Sequence, residues 1–246
     1  MSDTILRAEM SQFAAAIGDI GKRLRQSTGL RDFRHLQKIE RIGRLASLLG
    51  WATAWLFPNP LSAFLLAQGM IVRFTMGHHI GHGAYDHIEG IPARYTSRVF
   101  AHGWRRFIDW PDWWRQASWL HLHNHLHHPY TQDPRDADIM DPECFAKFGL
   151  VSRYLLFFFF TATWKFSFYA PYMEQEWLRH QRGEARHQPY PFKTGDLLNV
   201  LRPDVRTLLL RFYLPYIGWR FVLPTLLFLP LGATAATNVL LTVIMA

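Results

Sequence analysis

The sequence predicts an all-α integral membrane protein that carries a cytoplasmic, histidine-rich metal-binding cap. Long apolar stretches are the first observation: residues 45–72 and 221–246 contain no charged residue, and Lys165 alone interrupts residues 154–173. The second observation is that nine of the 13 histidines fall in two short windows at the edges of such stretches. Stretches of this length suit membrane-spanning helices, and imidazole is a common metal ligand.

Alternating polar and apolar stretches divide the chain into a basic N-terminal segment and a membrane domain over residues 38–246. The predicted segments are a cytoplasmic basic segment at 1–37, a transmembrane hairpin at 38–82, a cytoplasmic histidine-box cap at 83–150, an interfacial helix at 151–173, a cytoplasmic segment at 174–206 and a last transmembrane region at 207–246. The net charge of +8 fits the basic loops of a membrane protein. Because no zinc-finger spacing or RNA-binding signature accompanies this charge, we expect no nucleic-acid partner.

The hairpin is predicted from two apolar halves, 45–57 and 61–76, on either side of the string Pro58-Asn59-Pro60, with helices over about 38–57 and 61–82. About 20 residues at 1.5 Å each span the ~30 Å hydrocarbon core, and the three-residue string is a strong turn signal. The turn is uncharged whereas the outer flanks are rich in arginine, so both outer ends should be cytoplasmic. This places the first histidine window at the cytoplasmic end of a spanning helix.

The cap should contain an interfacial helix over about 112–127, with the second histidine window at its end. Pro129 would stop this helix, and the tryptophans around its start prefer the interface between lipid and water. His128 precedes the proline, which biases it out of the helical region and would let it turn toward the metal that His127 binds. The acidic stretch at 133–143 lacks the EF-hand spacing, and we expect a solvated loop that closes over this window.

The histidines in the two windows have the spacing of metal ligands on helices. Residues four apart share a helix face, so His78 with His82, and His123 with His127, can each converge on one point. A competing stripe on the second helix consists of His121, His125 and His128. Many neutral imidazoles with few carboxylates suit iron, copper or zinc, and spacing alone does not choose among these metals.

Two strings resemble the histidine boxes of the membrane fatty acid desaturase and hydroxylase superfamily. His78-His79-Ile80-Gly81-His82-Gly83 resembles the first box, His-x-x-x-His. His123-Asn124-His125-Leu126-His127-His128 resembles the second box, His-Asn-x-x-His-His. The phrase at 77–86, followed by Ile91-Pro92-Ala93-Arg94-Tyr95-Thr96, is similar to bacterial fatty acid desaturases. The resemblance covers most of the chain from about residue 40 onward.

The resemblance implies a di-iron centre, with two iron ions and O2 as co-substrate. Its catalytic residues and iron ligands would be His78, His82, His123, His127 and His128. The neighbouring His79, His121 and His125 would then support the ligands or be structural. The third box of the family, His-x-x-His-His, is missing, because only His180 and His187 follow the second box. One of these two is a candidate for an extra ligand, but neither replaces the third box.

By resemblance, the expected activity is O2-dependent desaturation of a fatty acyl chain in lipid metabolism, on the cytoplasmic side of a bacterial inner membrane. A hydroxylase or carotenoid ketolase of the same superfamily is the alternative, and a non-catalytic metal-binding membrane protein is the second alternative. No dinucleotide fingerprint is present, so the electrons should come from an acidic donor protein such as a ferredoxin or rubredoxin. The arginines that would attract this donor are Arg94, Arg98, Arg105, Arg106 and Arg115.

The last apolar region should break near the string Pro230-Leu231-Gly232. A helix that starts near Ala233 reaches Ala246 after 14 residues, which is ~21 Å and short of the ~30 Å core. The alternative is one kinked helix from about Phe221. The short helix predicts a fragment whose natural protein continues past Ala246. In either case we expect residues 1–246 alone to bind iron weakly and to be inactive.

Overall fold

Every regular element is helical in the parts of the chain that this computed structural model describes, which are residues 3–109, 115–131, 133, 136, 147–164, 169–184 and 199–246. The predicted all-α class is confirmed to that extent, because no strand occurs in these ranges. Insertion of the chain into a membrane, and the arrangement of the histidine region as a cap, stay predictions.

Three long helices come first along the chain: α1 (Asp3–Ser27), α2 (Leu30–Ala54) and α3 (Pro60–Gly81). Where its side chains are described, α1 is exposed along nearly its whole length. The turn between α2 and α3 forms where it was predicted. Asn59 caps α3, because its Oδ1 accepts a hydrogen bond from the Ser62 N–H at 2.8 Å, and Pro60 occupies the first helical turn.

The α2–α3 hairpin packs through small residues. A Cβ atom on Gly43 would collide with Val72, and one on Gly69 would collide with the side chain of Ser47. Small residues let two helix backbones approach closely, which is the arrangement that favours helix association in a bilayer. Large apolar side chains lie outward, with Leu48 65% and Leu61 67% exposed. The hairpin therefore presents apolar surface to its surroundings.

Among the described residues, one helix is long and apolar enough to cross a membrane, and it covers residues 203–231. Its successive parts are α8 (Pro203–Leu208), a π-helical segment (Leu209–Tyr213), α9 (Leu214–Ile217), a second π-helical segment (Gly218–Val222), α10 (Leu223–Phe228) and a 3-10 turn (Leu229–Leu231). We call this element the long helix. It supports membrane association by length and composition, whereas the crossing of the hairpin stays a prediction.

The long helix ends where the sequence predicted a break. Gly232 has φ 111° and ψ 158°, a conformation that is open only to glycine. The next helix, α11 (Ala233–Met245), begins at the break and returns against the hairpin. The side-chain amide of Asn238 donates to the carbonyls of Trp55 and Leu56, at 3.0 and 3.1 Å. Carbonyls at a helix end lack partners within the helix, so this contact satisfies the end of α2.

The second histidine window lies on a helix of mixed geometry. It starts as α5 (Gln116–His121), continues as a π-helical segment (Leu122–His127) and ends in a 3-10 turn (His128–Tyr130). The predicted helix is confirmed from residue 116 onward, and its predicted start at 112–114 lies outside the described residues. The prediction that His128 leaves the helical region is wrong, because its φ of -58° and ψ of -44° are helical.

Shorter elements complete the described fold. The 3-10 turns Ala93–Tyr95 and Gly103–Arg105 lead into α4 (Arg106–Asp109). After the second histidine window come α6 (Leu150–Trp164) and α7 (Ala170–Arg182). The predicted interfacial helix at 151–173 therefore overlaps both of these helices, and α7 continues into the segment expected to be polar. α7 packs against α5 and so borders the histidine region.

Each of the three described π-helical segments ends two residues before a proline. The pairs are His127 with Pro129, Tyr213 with Pro215, and Val222 with Pro224. A proline lacks an N–H group, and in an α-helix its ring clashes with the carbonyl four residues earlier. A wider turn ahead of the proline relieves that clash. The wider turn matters most ahead of Pro129, because that π-helical segment carries histidines of the second window.

Candidate metal centre

Four of the five predicted ligands come together where the end of α3 meets the first π-helical segment: His78, His82, His123 and His128. Nε2 of His123 lies 3.2 Å from Nε2 of His78 and 3.1 Å from Nε2 of His128. The Nε2 atoms of His82 and His128 are also 3.2 Å apart. All four ligand nitrogens lie within 4.8 Å of one another. We call this group the histidine quartet, and it is close enough to bind a metal ion.

The π-helical segment decides which histidines of the second window join the quartet. In an α-helix, residues five apart are rotated by about 140°, so His123 and His128 would lie on different faces. A π-helix closes hydrogen bonds between residues five apart, and the His128 N–H donates to the His123 carbonyl. Both side chains therefore lie on one face. The predicted partner of His123, His127, lies beside it instead, with ring centroids 5.4 Å apart.

The nitrogen separations in the quartet fit a single ion. Metal–imidazole bonds of ~2.0–2.1 Å at a tetrahedral ion place neighbouring nitrogens ~3.3 Å apart. The three shortest separations, between 3.1 and 3.2 Å, are close to that value. Within the described residues, no second group of three or more histidine, cysteine or acidic side chains converges in the same way. The quartet thus accounts for one ion, while the identity of the metal and a second iron stay predictions.

Trp119 encloses the buried side of the quartet. Its ring stacks on the His123 ring at 4.5 Å and meets the His78 ring edge-on at 5.4 Å. His123 is 8% exposed and Trp119 is 2% exposed. Burial, followed by the neighbouring histidines, lowers the pKa of His123 to about 3. His123 is therefore neutral at physiological pH, which is the form of imidazole that binds a metal.

Polar contacts hold α5 against the end of α3. The Gln116 side-chain amide donates to the Gly77 carbonyl at 3.3 Å, and the Asn124 amide donates to the Gly81 carbonyl at 3.3 Å. A Cβ atom on Gly81 would collide with the end of the Leu120 side chain, so the two helices approach closely here. These contacts fix the two histidine windows relative to each other, because Gly77 precedes His78, Gly81 precedes His82 and Asn124 follows His123.

His127 lies at the edge of the quartet and contacts a carboxylate. Its Nδ1 is 2.9 Å from Oδ1 of Asp136, which is 4% exposed. Metal-binding histidines commonly donate their second ring nitrogen to such a carboxylate, which orients the ring and raises its basicity. The acidic stretch was expected to be solvated, and this expectation is wrong for Asp136. The other acidic residues from 138 to 143 lie outside the described residues.

We expect Asp136→Asn to weaken metal binding by about tenfold or more, because changes to carboxylates that orient metal-binding histidines cost ~10–100-fold in affinity. The measurement is a competition titration of the purified chain with Fe²⁺ under anaerobic conditions. Glu89→Gln is the control, since Glu89 is exposed and its substitution also removes one carboxylate charge. Equal affinity in both variants would show that the contact of Asp136 with His127 does not support metal binding.

The competing stripe on the second helix lies apart from the quartet, except for His128. His121 stacks on His180 of α7, with ring centroids 4.0 Å apart, and lies 5.6 Å from His125. Burial, followed by His180 and His125, lowers the pKa of His121 to about 4. His180 therefore packs against the stripe. His187, the other candidate for an extra ligand, lies outside the described residues.

The sequence stretches that resemble bacterial desaturases contain side chains whose hydrogen bonds fix the loop after the first histidine window. Oδ1 of Asp86 accepts a hydrogen bond from the Ser97 N–H at 2.8 Å. Tyr95 donates to Glu40 of α2 at 2.5 Å, and Arg94 donates to both oxygens of the same carboxylate at 3.1 Å. Arg94 and Tyr95 thus connect the loop to α2, and they contribute to the site by positioning the loop that follows the first histidine window.

Sequence reasoning missed Trp119 and Asp136. Trp119 lies four residues before His123, so the helical spacing could have placed it beside that histidine. Asp136 gave no such signal, because its contact with His127 depends on a turn after the helix. In that turn the Asp136 N–H donates to the Asp133 carbonyl at 2.8 Å.

Comparison with known proteins finds no protein-family model, no curated protein and no solved structure that matches this chain. The resemblance to the desaturase and hydroxylase superfamily therefore rests on the histidine-box strings and on the sequence around them.

Proposed function

We propose that the chain is a membrane enzyme that desaturates fatty acyl chains with O2 at an iron centre held by its histidines. The observation that carries this proposal is the quartet, because two distant histidine strings with the wording of the two boxes supply nitrogens to one point. Four imidazoles without a carboxylate among them suit iron, and equally zinc or copper. The choice of iron comes from the resemblance.

The proposed residues hold the metal and shape its surroundings. His78, His82, His123 and His128 would hold one ion, and His127 joins them as the fifth proposed ligand and catalytic residue. When bound, the iron centre supplies the removal of hydrogen from an unactivated methylene, which acid–base groups cannot achieve. Trp119 and Leu122 exclude water from the buried side, since both are at most 2% exposed. The exposed edge at His82 and His128 is the side that an acyl chain would approach.

The proposed reaction removes two hydrogens from adjacent methylenes and forms a carbon–carbon double bond. O2 is reduced to two waters, and a ferredoxin-like or rubredoxin-like donor supplies two electrons while solvent supplies two protons. Of the five arginines expected to attract this donor, three pair with carboxylates of the chain: Arg94 with Glu40, Arg105 with Asp109, and Arg115 with Glu174. Arg98 is exposed and is the best placed of the five for such a partner.

The proposed location is the bacterial inner membrane, with the histidines facing the cytoplasm. The outward apolar side chains of the hairpin and the long helix support insertion. In a Cys144→Ser background, a cysteine at position 59 should react with an impermeant maleimide from outside. A cysteine at the exposed position 89 should react only after the cells are opened. Labelling of position 89 in intact cells would contradict this orientation.

The decisive experiment analyses lipids from a bacterial host that expresses the protein together with a ferredoxin and its reductase. Mass spectrometry should detect acyl chains that have lost two hydrogens, and a His82→Ala variant should yield none. A gain of oxygen would assign a hydroxylase or a carotenoid ketolase instead. Unchanged lipids from a protein that retains its metal would assign a metal-binding membrane protein and overturn the proposed activity.

A further inference from the structure

A cavity of about 350 Å³ lies between the hairpin and the long helix. Ser47 and Trp51 of α2 and Met70 and Arg73 of α3 form one wall. Trp219, Arg220, Leu223, Leu227 and Phe228 of the long helix form the opposite wall. This volume lies within the ~300–1,000 Å³ range of ligand pockets. The lining joins two cationic side chains to a surface that is otherwise apolar except for Ser47.

Arg220 is the unusual member of this lining. Its guanidinium contacts the sulfur of Met70, and its Nε is buried without a hydrogen-bond partner. A thioether sulfur is only a weak acceptor. None of the ion pairs formed within the described part of the chain includes Arg220. An arginine in an apolar spanning helix is costly, and it ordinarily faces a cavity and a charged partner there.

Arg73 differs from Arg220 because it has polar neighbours within the protein. Its Nη2 donates to Ser47 Oγ at 3.3 Å, and it also lines a smaller cavity whose wall includes Glu40 and Asp109. Arg73 therefore has an acceptor within the protein and shares a cavity with two carboxylates. Around Arg220 the cavity offers space where a negative group of a ligand would fit, and no carboxylate of the described chain pairs with this arginine.

The remaining lining extends away from this charge along the long helix. Leu227 lies seven residues after Arg220, which is ~10 Å at 1.5 Å per residue. Leu227 is 67% exposed, so the cavity opens to the outer surface at its apolar end. A ligand with an anionic head beside Arg220 could therefore extend its hydrocarbon chain past Leu223 and Leu227 toward the surroundings of the helix.

We propose that this cavity binds an anionic amphiphile, with its carboxylate or phosphate on Arg220 and its hydrocarbon chain along the apolar wall. A fatty acid and an anionic phospholipid share this chemistry. The site does not depend on the metal or on turnover, so its occupancy can be tested separately from the proposed desaturation.

The test measures quenching of tryptophan fluorescence in the purified chain in a non-ionic detergent. Trp51 and Trp219 line the cavity, and bromine atoms on an acyl chain quench nearby tryptophans. The probes are dibrominated oleic acid, its methyl ester, and phosphatidylglycerol with dibrominated chains. We expect saturable quenching by at least one of the two anions. Binding of the neutral ester should be at least about tenfold weaker, because a charge-assisted hydrogen bond is lost.

Arg220→Met should weaken binding of the anionic probe by at least about tenfold. Arg211→Met is the matched control, because it removes an arginine of the same helix that lies outside the cavity lining. This variant should bind the anionic probe with the affinity of the wild type. Arg220→Met should also unfold at or above the wild-type temperature without ligand, since it removes a half-buried charge that lacks an ion-pair partner among the described residues. A merely structural role of Arg220 predicts a lower unfolding temperature.

Leu223→Trp provides a second variant that fills the cavity and keeps Arg220. It should also lose binding, which keeps the proposal testable if Arg220→Met does not fold. Quenching by the fatty acid alone assigns the carboxylate as the head group, and quenching by the phospholipid alone assigns the phosphate. Equal binding of the ester and the acid, equal binding by Arg220→Met and the wild type, or no saturable quenching by either anion would overturn the proposal.

Discussion

His123→Ala is expected to weaken binding of a divalent metal by at least about 100-fold, because it removes a ligand, and even changes to residues that only orient ligands cost ~10–100-fold. His123 is central to the quartet, with its Nε2 next to both His78 and His128. The measurement is a titration of purified wild-type and variant chains with Fe²⁺, Zn²⁺ and Co²⁺. The visible spectrum of Co²⁺ reports the coordination geometry. We expect one ion per quartet in the wild type.

His125→Ala is the matched control for His123→Ala. His125 lies on the same π-helical segment, is exposed and lies outside the quartet. Its loss should leave the metal affinity within about threefold of the wild type, since no ligand is removed. If both variants lost affinity equally, binding would come from the histidine-rich string as a whole, and the quartet would not be a specific site. A loss in His125→Ala alone would favour the competing stripe.

The sequence predicted the parts of the fold that depend on local signals. The Pro58-Asn59-Pro60 turn, the break at Gly232 and the helix that carries the second window all follow from turn residues and prolines. The approach of the two windows was also predictable, because each histidine string ends a helix next to an apolar stretch. The turn, the break and the helix needed no knowledge of how distant segments pack, whereas the approach of the two windows was expected because both were predicted to bind one metal centre.

The choice between His127 and His128 could not be predicted from α-helical spacing. That rule pairs residues four apart, whereas the π-helical segment pairs residues five apart and so brings His128 to His123. Pro129 was treated as a residue that stops the helix, but it also widens the turn ahead of it. Prolines at 215 and 224 follow π-helical segments in the same way.

Contacts between distant segments were beyond the sequence analysis. Glu174 of α7 is 1% exposed and faces α5. It accepts hydrogen bonds from Arg115 and Ser118, which lie 59 and 56 residues earlier. No local pattern pairs these residues. Arg115 was instead expected to lie on a basic docking surface. The pairing with Glu174 explains why an arginine stands immediately before α5, since it anchors the helix that carries the second histidine window.

Arg115→Ala is expected to destabilise the protein by about 3 kcal/mol, because it leaves the buried Glu174 carboxylate without its cation. This loss corresponds to a fall in unfolding temperature of roughly 6–12 °C for a chain of this size. The metal affinity should fall as well, since α5 loses its anchor to α7. The measurements are thermal unfolding of the purified protein in detergent and the metal titration described for His123→Ala.

Arg182→Ala supplies the matched comparison, because Arg182 pairs with Glu184 where the side chains are 56% and 48% exposed. An exposed pair contributes at most about 1 kcal/mol, so its loss should barely move the unfolding temperature. The double variant Arg115→Met/Glu174→Leu should recover most of the stability lost in Arg115→Ala, because no buried charge is left unpaired. If the double variant were as unstable as Arg115→Ala, packing of the long arginine side chain would explain the loss instead. Equal unfolding temperatures for Arg115→Ala and Arg182→Ala would show that the Arg115–Glu174 pair does not anchor α5.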